Sequence, residues 1–308
     1  MSRATVLVFG ALASVGACRP ASADARLAEL ESRERRIATR LARPALDSSA
    51  TRALARWILP RDLAEISGVA LTTDGSLYAH DDERGQVFLI DPRRGVVTKR
   101  FSFGTLEAEA RDDFEGMTLA GGRIFIVAST GRLYEFAEGA PGERVRFSVH
   151  DTELEGKCEF EGVAWDPTLA SFLLVCKRVL TPGLRDHLVL YRWRMRHGGG
   201  NQLAPIVIPL AIVIGTNPWK TLNPSDIAVD PVTGNYVIIA GQERAIIVIT
   251  PSGEVVRSTT LPGVHAQAEA VAMTPDGILI LGDEATSRPA SLTLYHWPLT
   301  AATPPGPP

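Results

Sequence analysis

The sequence predicts an all-β chain folded as a β-propeller of five four-stranded blades, closed by an N-terminal strand and preceded by a short helix. Three observations carry this. From about residue 55, helical periodicity gives way to short Val/Ile/Leu/Phe/Tyr runs separated by Gly, Pro, Asp-Gly and Asn turn signals. A phrase then recurs, as EISGVALTTDG from Glu65, FEGMTLAGG from Phe114, FEGVAWDPTLA from Phe160, SDIAVDPVTG from Ser225 and AEAVAMTPDG from Ala268. Its acidic anchors Glu65, Glu115, Glu161, Asp226 and Glu269 are spaced by 50, 46, 65 and 43 residues, the period of propeller blades. Finally, the fifth repeat lacks a fourth strand, and the segment ARWILP from Ala55 can supply it. That closure removes a sheet edge that would otherwise template aggregation. A sixth blade is the alternative, if the long third unit hides another sheet.

Taken in order, the chain opens with Ser2 and Arg3, a 12-residue uncharged stretch from Val6 to Ala17, and Cys18. This is too short to span a bilayer and has the layout of a secretory signal. Val15-Gly16-Ala17-Cys18 resembles the lipobox of bacterial lipoproteins, which implies cleavage before Cys18 and acylation of that residue. The alternative is an ordinary signal cut after Ala21-Ser22-Ala23. We therefore read 1–17 as a lipoprotein signal peptide and 18–54 as anchor and stalk, with an amphipathic helix over 24–43. By the same resemblance, Arg19 fits an outer-membrane destination on the periplasmic side, and several acyl chains would anchor stably.

The propeller occupies 55–300. Blade one reads ISGVALT, SLYAH, QVFLID and VVTKRFSF; blade two GMTLA, RIFIVAS, RLYEFA and RVRFSVHD. Blade three reads GVAWD, SFLLVCK, LVLYRWR and PIVIPLAIV, with Gly198-Gly199-Gly200 as a turn. Blade four reads DIAVD, YVIIA, AIIVIT and EVVRSTTL, and blade five AVAMT, ILILGD and SLTLYHWPL. Residues 301–308 form a Pro-rich disordered tail. Cys158 and Cys176 sit at the ends of one hairpin; in an oxidising compartment they can form a disulfide, or stay buried as plain hydrophobes.

ISGVALTTDGSLYAHDDERGQVFLID, DDFEGMTLAGGRIFIVASTGRLYEF and KCEFEGVAWD resemble the SdiA-regulated β-propeller family, and more distantly the phytase-like esterase propellers and other calcium-dependent hydrolases. The likeness covers about residues 55–297. It implies an exported, often lipid-anchored propeller, without an established reaction.

A formal charge of −3 and the lack of any basic block argue against nucleic acid as a partner. No G-x-S-x-G, HExxH, phosphate loop or zinc-type cysteine pair is present. In a propeller the first strand of each blade lines the channel, so Glu65, Glu115, Glu161, Asp226 and Glu269 form a ring at one mouth. Such carboxylates cannot all ionise without compensation. Three compensations are open: a hard cation, with Ca²⁺ the candidate and these five its ligands; backbone N–H groups of the next blade, with the acids acting as clips; or pairing with Lys177, Arg178 and histidines. Loops on the same face add Asp81, Asp82, Lys177, Gln242 and Asp283 as candidate ligand-binding groups. His80, in the singular HDDERG, and His265 are the candidate bases.

Two functions follow. One is a monomeric, lipid-anchored module that binds a small molecule or protein at the acidic mouth. The other is a calcium-dependent esterase or phosphoesterase working there.

Overall fold

The computed structural model describes residues 52–196 and 199–297, together with Ala28, Glu31, Ser32, Arg35, Arg36 and Thr39, which are helical. The leader, Cys18 and the tail lie outside the described residues, as does most of the 24–43 segment. Five sheets form a ring, each antiparallel with its first strand innermost.

Blade one comprises β2 (Ile66–Leu71), β3 (Leu77–Asp81), β4 (Gln86–Asp91) and β5 (Val96–Phe103). Blade two comprises β6 (Phe114–Ala120), β7 (Arg123–Ala128), β8 (Leu133–Phe136) and β10 (Phe147–His150). The two-residue β9 (Arg144–Val145) leaves it to pair in parallel with β5 of blade one. Blade three is β11 (Cys158–Asp166), β12 (Ser171–Val179), β13 (His187–Arg196) and β14 (Gly199–Pro209). Blade four is β15 (Asp226–Val229), β16 (Tyr236–Ala240), β17 (Ala245–Ile249) and β18 (Val255–Thr260).

Blade five takes β19 (Ala268–Met273), β20 (Ile278–Asp283) and β21 (Ser291–His296) from the C-terminal end, and β1 (Ala55–Ile58) from the start of the propeller. β1 lies antiparallel to β21 with Trp57 opposite Leu292. The Trp57 indole also donates to the Pro92 carbonyl of blade one, so this strand ties both blades.

Burial follows position within a blade. β16, β17 and β20 are buried along their whole length, because neighbouring blades cover both faces. The outermost β18 has no buried residue along its length. Apolar side chains gather between blades: Trp57, Ile66 and Ile280 between five and one, Phe103 and Phe136 between one and two, and Phe160 and Phe172 between two and three. Val175 with Ile238 and Ile246 with Leu281 do the same at the remaining two junctions, closing the ring with five blades rather than six.

One expected strand divides. PIVIPLAIV was one outer strand by sequence, but after Pro209 the chain turns into α1 (Leu210–Ile214). Proline cannot donate to a ladder, and the amide of Leu210 turns instead to the Asp186 carbonyl. Gly215, at φ 55°, ends the helix. The triple glycine is not a simple turn either, since Gly199 and Gly200 already pair with Arg196 and Met195. Cys158 and Cys176 are joined by a disulfide across β11 and β12.

Candidate functional site

The channel mouth is built by a repeated backbone irregularity. β11 skips register between Phe160 and Gly162, β19 between Ala268 and Ala270, β6 between Phe114 and Met117, and β2 between Ile66 and Gly68. Each skip is a β-bulge, which leaves one residue unpaired (two in blade two, Glu115 and Gly116) and re-aims its side chain. Those residues are Glu161, Glu269 and, in blade two, Glu115. In blade one the skipped residue is Ser67, not Glu65. Aligning the repeats on the glycine rather than the acid gives the correct register, because the glycine carries the steric constraint. A Cβ on Gly116 would meet Val163 N at 2.4 Å, and one on Gly162 would meet Asp226 Cα at 2.8 Å. The inner strands thus touch backbone to backbone around the axis.

The inner strand of blade four, β15, has no bulge, and Asp226 behaves differently from the other acids. It is 1% exposed; Oδ1 accepts from its neighbour Ile227 N (2.8 Å) and Oδ2 from Val271 N of blade five (2.8 Å). Both oxygens are occupied by backbone, so Asp226 clips blade four to blade five instead of facing the mouth. Burial foremost holds its pKa well above the ordinary carboxylate value, partly offset by those two amides.

The mouth itself is a cavity of about 140 Å³ lined by six carboxyls, Glu65, Asp82, Glu115, Glu161, Glu269 and Glu284. Ser67, Gln267 and the ammonium of Lys177 complete it. Lys177 Nζ lies 2.7 Å from Glu161 Oε1. Burial works against the charge on Lys177, but Glu161, Glu269 and Glu115 together outweigh it and raise its pKa. Glu115 accepts a hydrogen bond from Ser67 Oγ at 3.2 Å and lies within the field of Glu161. Burial and then the Glu161 charge push the Glu115 pKa far up, so of this pair Glu115 favours the protonated form. Glu161 is raised by burial against the pull of Lys177. Glu269 is pushed up to about 7 by burial and Glu161, and Asp82 to about 6 by burial, Glu65 and Asp81. Gln267 donates to Glu284, whose pKa burial also raises.

The remaining candidates are not at the mouth. His80 is fully buried, with Nδ1 at 2.8 Å from the Asp81 carbonyl and Nε2 directly beneath Gly68. Burial lowers its pKa, so it is neutral and packed, not a surface base. His265 is also enclosed; Nδ1 meets Asp283 Oδ2 at 2.7 Å, while Nε2 faces the Tyr295 hydroxyl and the Pro262 carbonyl. Asp283 is thereby committed as well. Asp81 fastens the β3–β4 turn, accepting from the amides of Glu83 and Arg84 and from the Arg84 guanidinium. Gln242 is exposed and outside the cavity. Of the named ligand-binding candidates, Asp82 and Lys177 alone reach it. Ser67, Gln267 and Glu284 also line it, and of these only Glu284 is flagged by its position after the second strand.

Of the five acids proposed as metal ligands, Glu65, Glu115, Glu161 and Glu269 line the mouth together and Asp226 does not. Asp226 is a clip, Glu115 holds a proton, and Lys177 occupies the position a cation would take beside Glu161. Among the described residues no group of three or more His, Cys, Asp or Glu side chains is placed to hold a metal ion.

The SdiA-regulated family model matches residues 214–298, blades four and five. No curated protein matches the chain. Among solved structures, glutaminyl cyclase of Myxococcus xanthus superposes with a TM-score of 0.54 at 11% identity, covering 79% of this chain and 94% of that one. A luciferin-regenerating enzyme gives 0.48 at 10% identity, covering 80% and 96% respectively. At these identities the likeness is one of fold.

Proposed function

We propose that this chain, a β-propeller of the SdiA-regulated type, is a binding module that takes a cationic group at the acidic mouth of its channel. The observation behind this reading is one ammonium among six carboxyls in a recess of about 140 Å³. Glu115 is neutral and Lys177 cancels Glu161, which leaves the Glu65, Asp82, Glu269 and Glu284 carboxyls uncompensated. Low-dielectric walls strengthen that field. The recess has the size of one head group, so the cation is a compact ammonium or guanidinium borne by a larger ligand or a protein side chain. Export through the 1–17 leader and anchoring at Cys18 belong to the same proposal, and would hold the module at a membrane surface. The hydrolase alternative finds no support in the positions of His80 and His265, both enclosed by the fold.

Calorimetric titration with methylguanidinium against neutral methylurea tests the binding. The cation binds above pH 7, where Glu269 ionises, and weakens as the pH falls through that value. Equal heats from both probes, or binding unaffected by Glu269→Gln, would refute the reading. Retention of mature protein in the aqueous phase of a detergent partition would refute the anchor alone.

A further inference from the structure

A second cavity, of about 350 Å³, opens between blades three and four and has the opposite sign. Lys177, Arg178, Arg185 and His187 line it, and no carboxylate does. Lys177 is committed to Glu161, and Arg178 reaches out to Glu159. Glu243 is held by the amide and side chain of Asn223. Arg185 has neither an ion pair nor a hydrogen bond to its side chain among the described residues. His187 Nδ1 is buried without a partner. The exposed Arg185 guanidinium and a protonated His187 Nδ1 are both donors, so this wall suits an acceptor.

The rest of the wall is apolar, from Leu180, Leu188, Leu210 and Leu222. The volume is at the small end of ligand pockets. The disulfide at Cys176 braces one side of it, and α1 brings Leu210 to the other. We propose that this cavity binds a small organic anion, its carboxylate or phosphate head on Arg185 and His187 and its apolar body against the leucines. This site shares Lys177 with the acidic mouth, but the groups proposed to hold the anion, Arg185 and His187, do not line the mouth.

The test is calorimetric titration of the intact protein with benzoate, phenyl phosphate and neutral benzyl alcohol. At least one anion binds and the alcohol does not; which anion binds identifies the head group. Arg185→Ala weakens that binding about tenfold, the loss of one charge-assisted contact, and His187→Ala weakens it independently. Arg185 is exposed, so its variant keeps the wild-type melting temperature, and Glu269→Gln leaves anion binding unchanged. The proposal is overturned if neither anion binds at millimolar concentration, if the alcohol binds equally well, or if the Arg185 variant binds anions undiminished.

Discussion

Replacing Glu269 by glutamine removes a charge that the fold itself disfavours, so the variant gains stability rather than losing it. Glu269 is held up to about 7 from an ordinary value of 4.5, by burial first and Glu161 second. A carboxyl with a raised folded pKa binds its proton more tightly in the native state, so its ionisation costs stability. That cost is absent below about pH 4.5, grows between there and pH 7, and is complete above. At 1.36 kcal/mol per unit the full difference is about 3 kcal/mol. Glutamine stays neutral but gives up part of the contact with Gln267, so about 1–3 kcal/mol should appear at pH 8. For a domain of this size that raises Tm by several degrees. Urea denaturation of both proteins at pH 4, 6 and 8 measures it. The curves should coincide at pH 4 and separate progressively to pH 8, with the variant the more stable. A variant less stable at pH 8, or a difference independent of pH, would refute the electrostatics assigned to the mouth.

Three further outcomes follow from the frame. Asp226→Ala strands the buried amides of Ile227 and Val271 and should cost about 2–4 kcal/mol at neutral pH by chemical denaturation; a neutral substitution would remove the clip. Gly116→Ala drives a Cβ into Val163 N, which belongs to the next blade's backbone and cannot rotate away, so it should cost about 1–3 kcal/mol. The same change at Gly121, where nothing lies within 4 Å of the new Cβ, is strained only by its φ of 56° and serves as the comparison. Replacing Cys158 and Cys176 together by alanine opens a loop of sequence separation 18 and should cost about 3 kcal/mol, with no further loss when reductant is added.

The ring of blades was legible in the sequence because each blade repeats a strand–turn period, and because β1 restores the strand that blade five lacks. The acidic mouth was legible as a class of residue but not as a set. A repeated acid marks a blade start, yet its direction depends on a bulge that the sequence marks by a following glycine in three blades and not at Ala270 of blade five. Hence Glu65 stood in for Ser67, and Asp226, on an inner strand without a bulge, became a clip. His80 and His265 looked functional because histidine among carboxylates is conspicuous, whereas their burial depends on which face each strand end meets. The opposed cavity at Arg185 and His187 was invisible: its residues come from a loop, a strand and the approach to the next blade, and share no motif.

The most direct test of the binding claim is to follow the side-chain carboxyl ¹³C resonances of the glutamates at pH 8 while methylguanidinium is added. Glu269, Glu284 and Glu65 should shift together and saturably, with Glu115 still protonated and Glu254, an exposed acid on the outer edge of blade four, unmoved. No shift at the mouth, or uniform shifts across all glutamates, would contradict it.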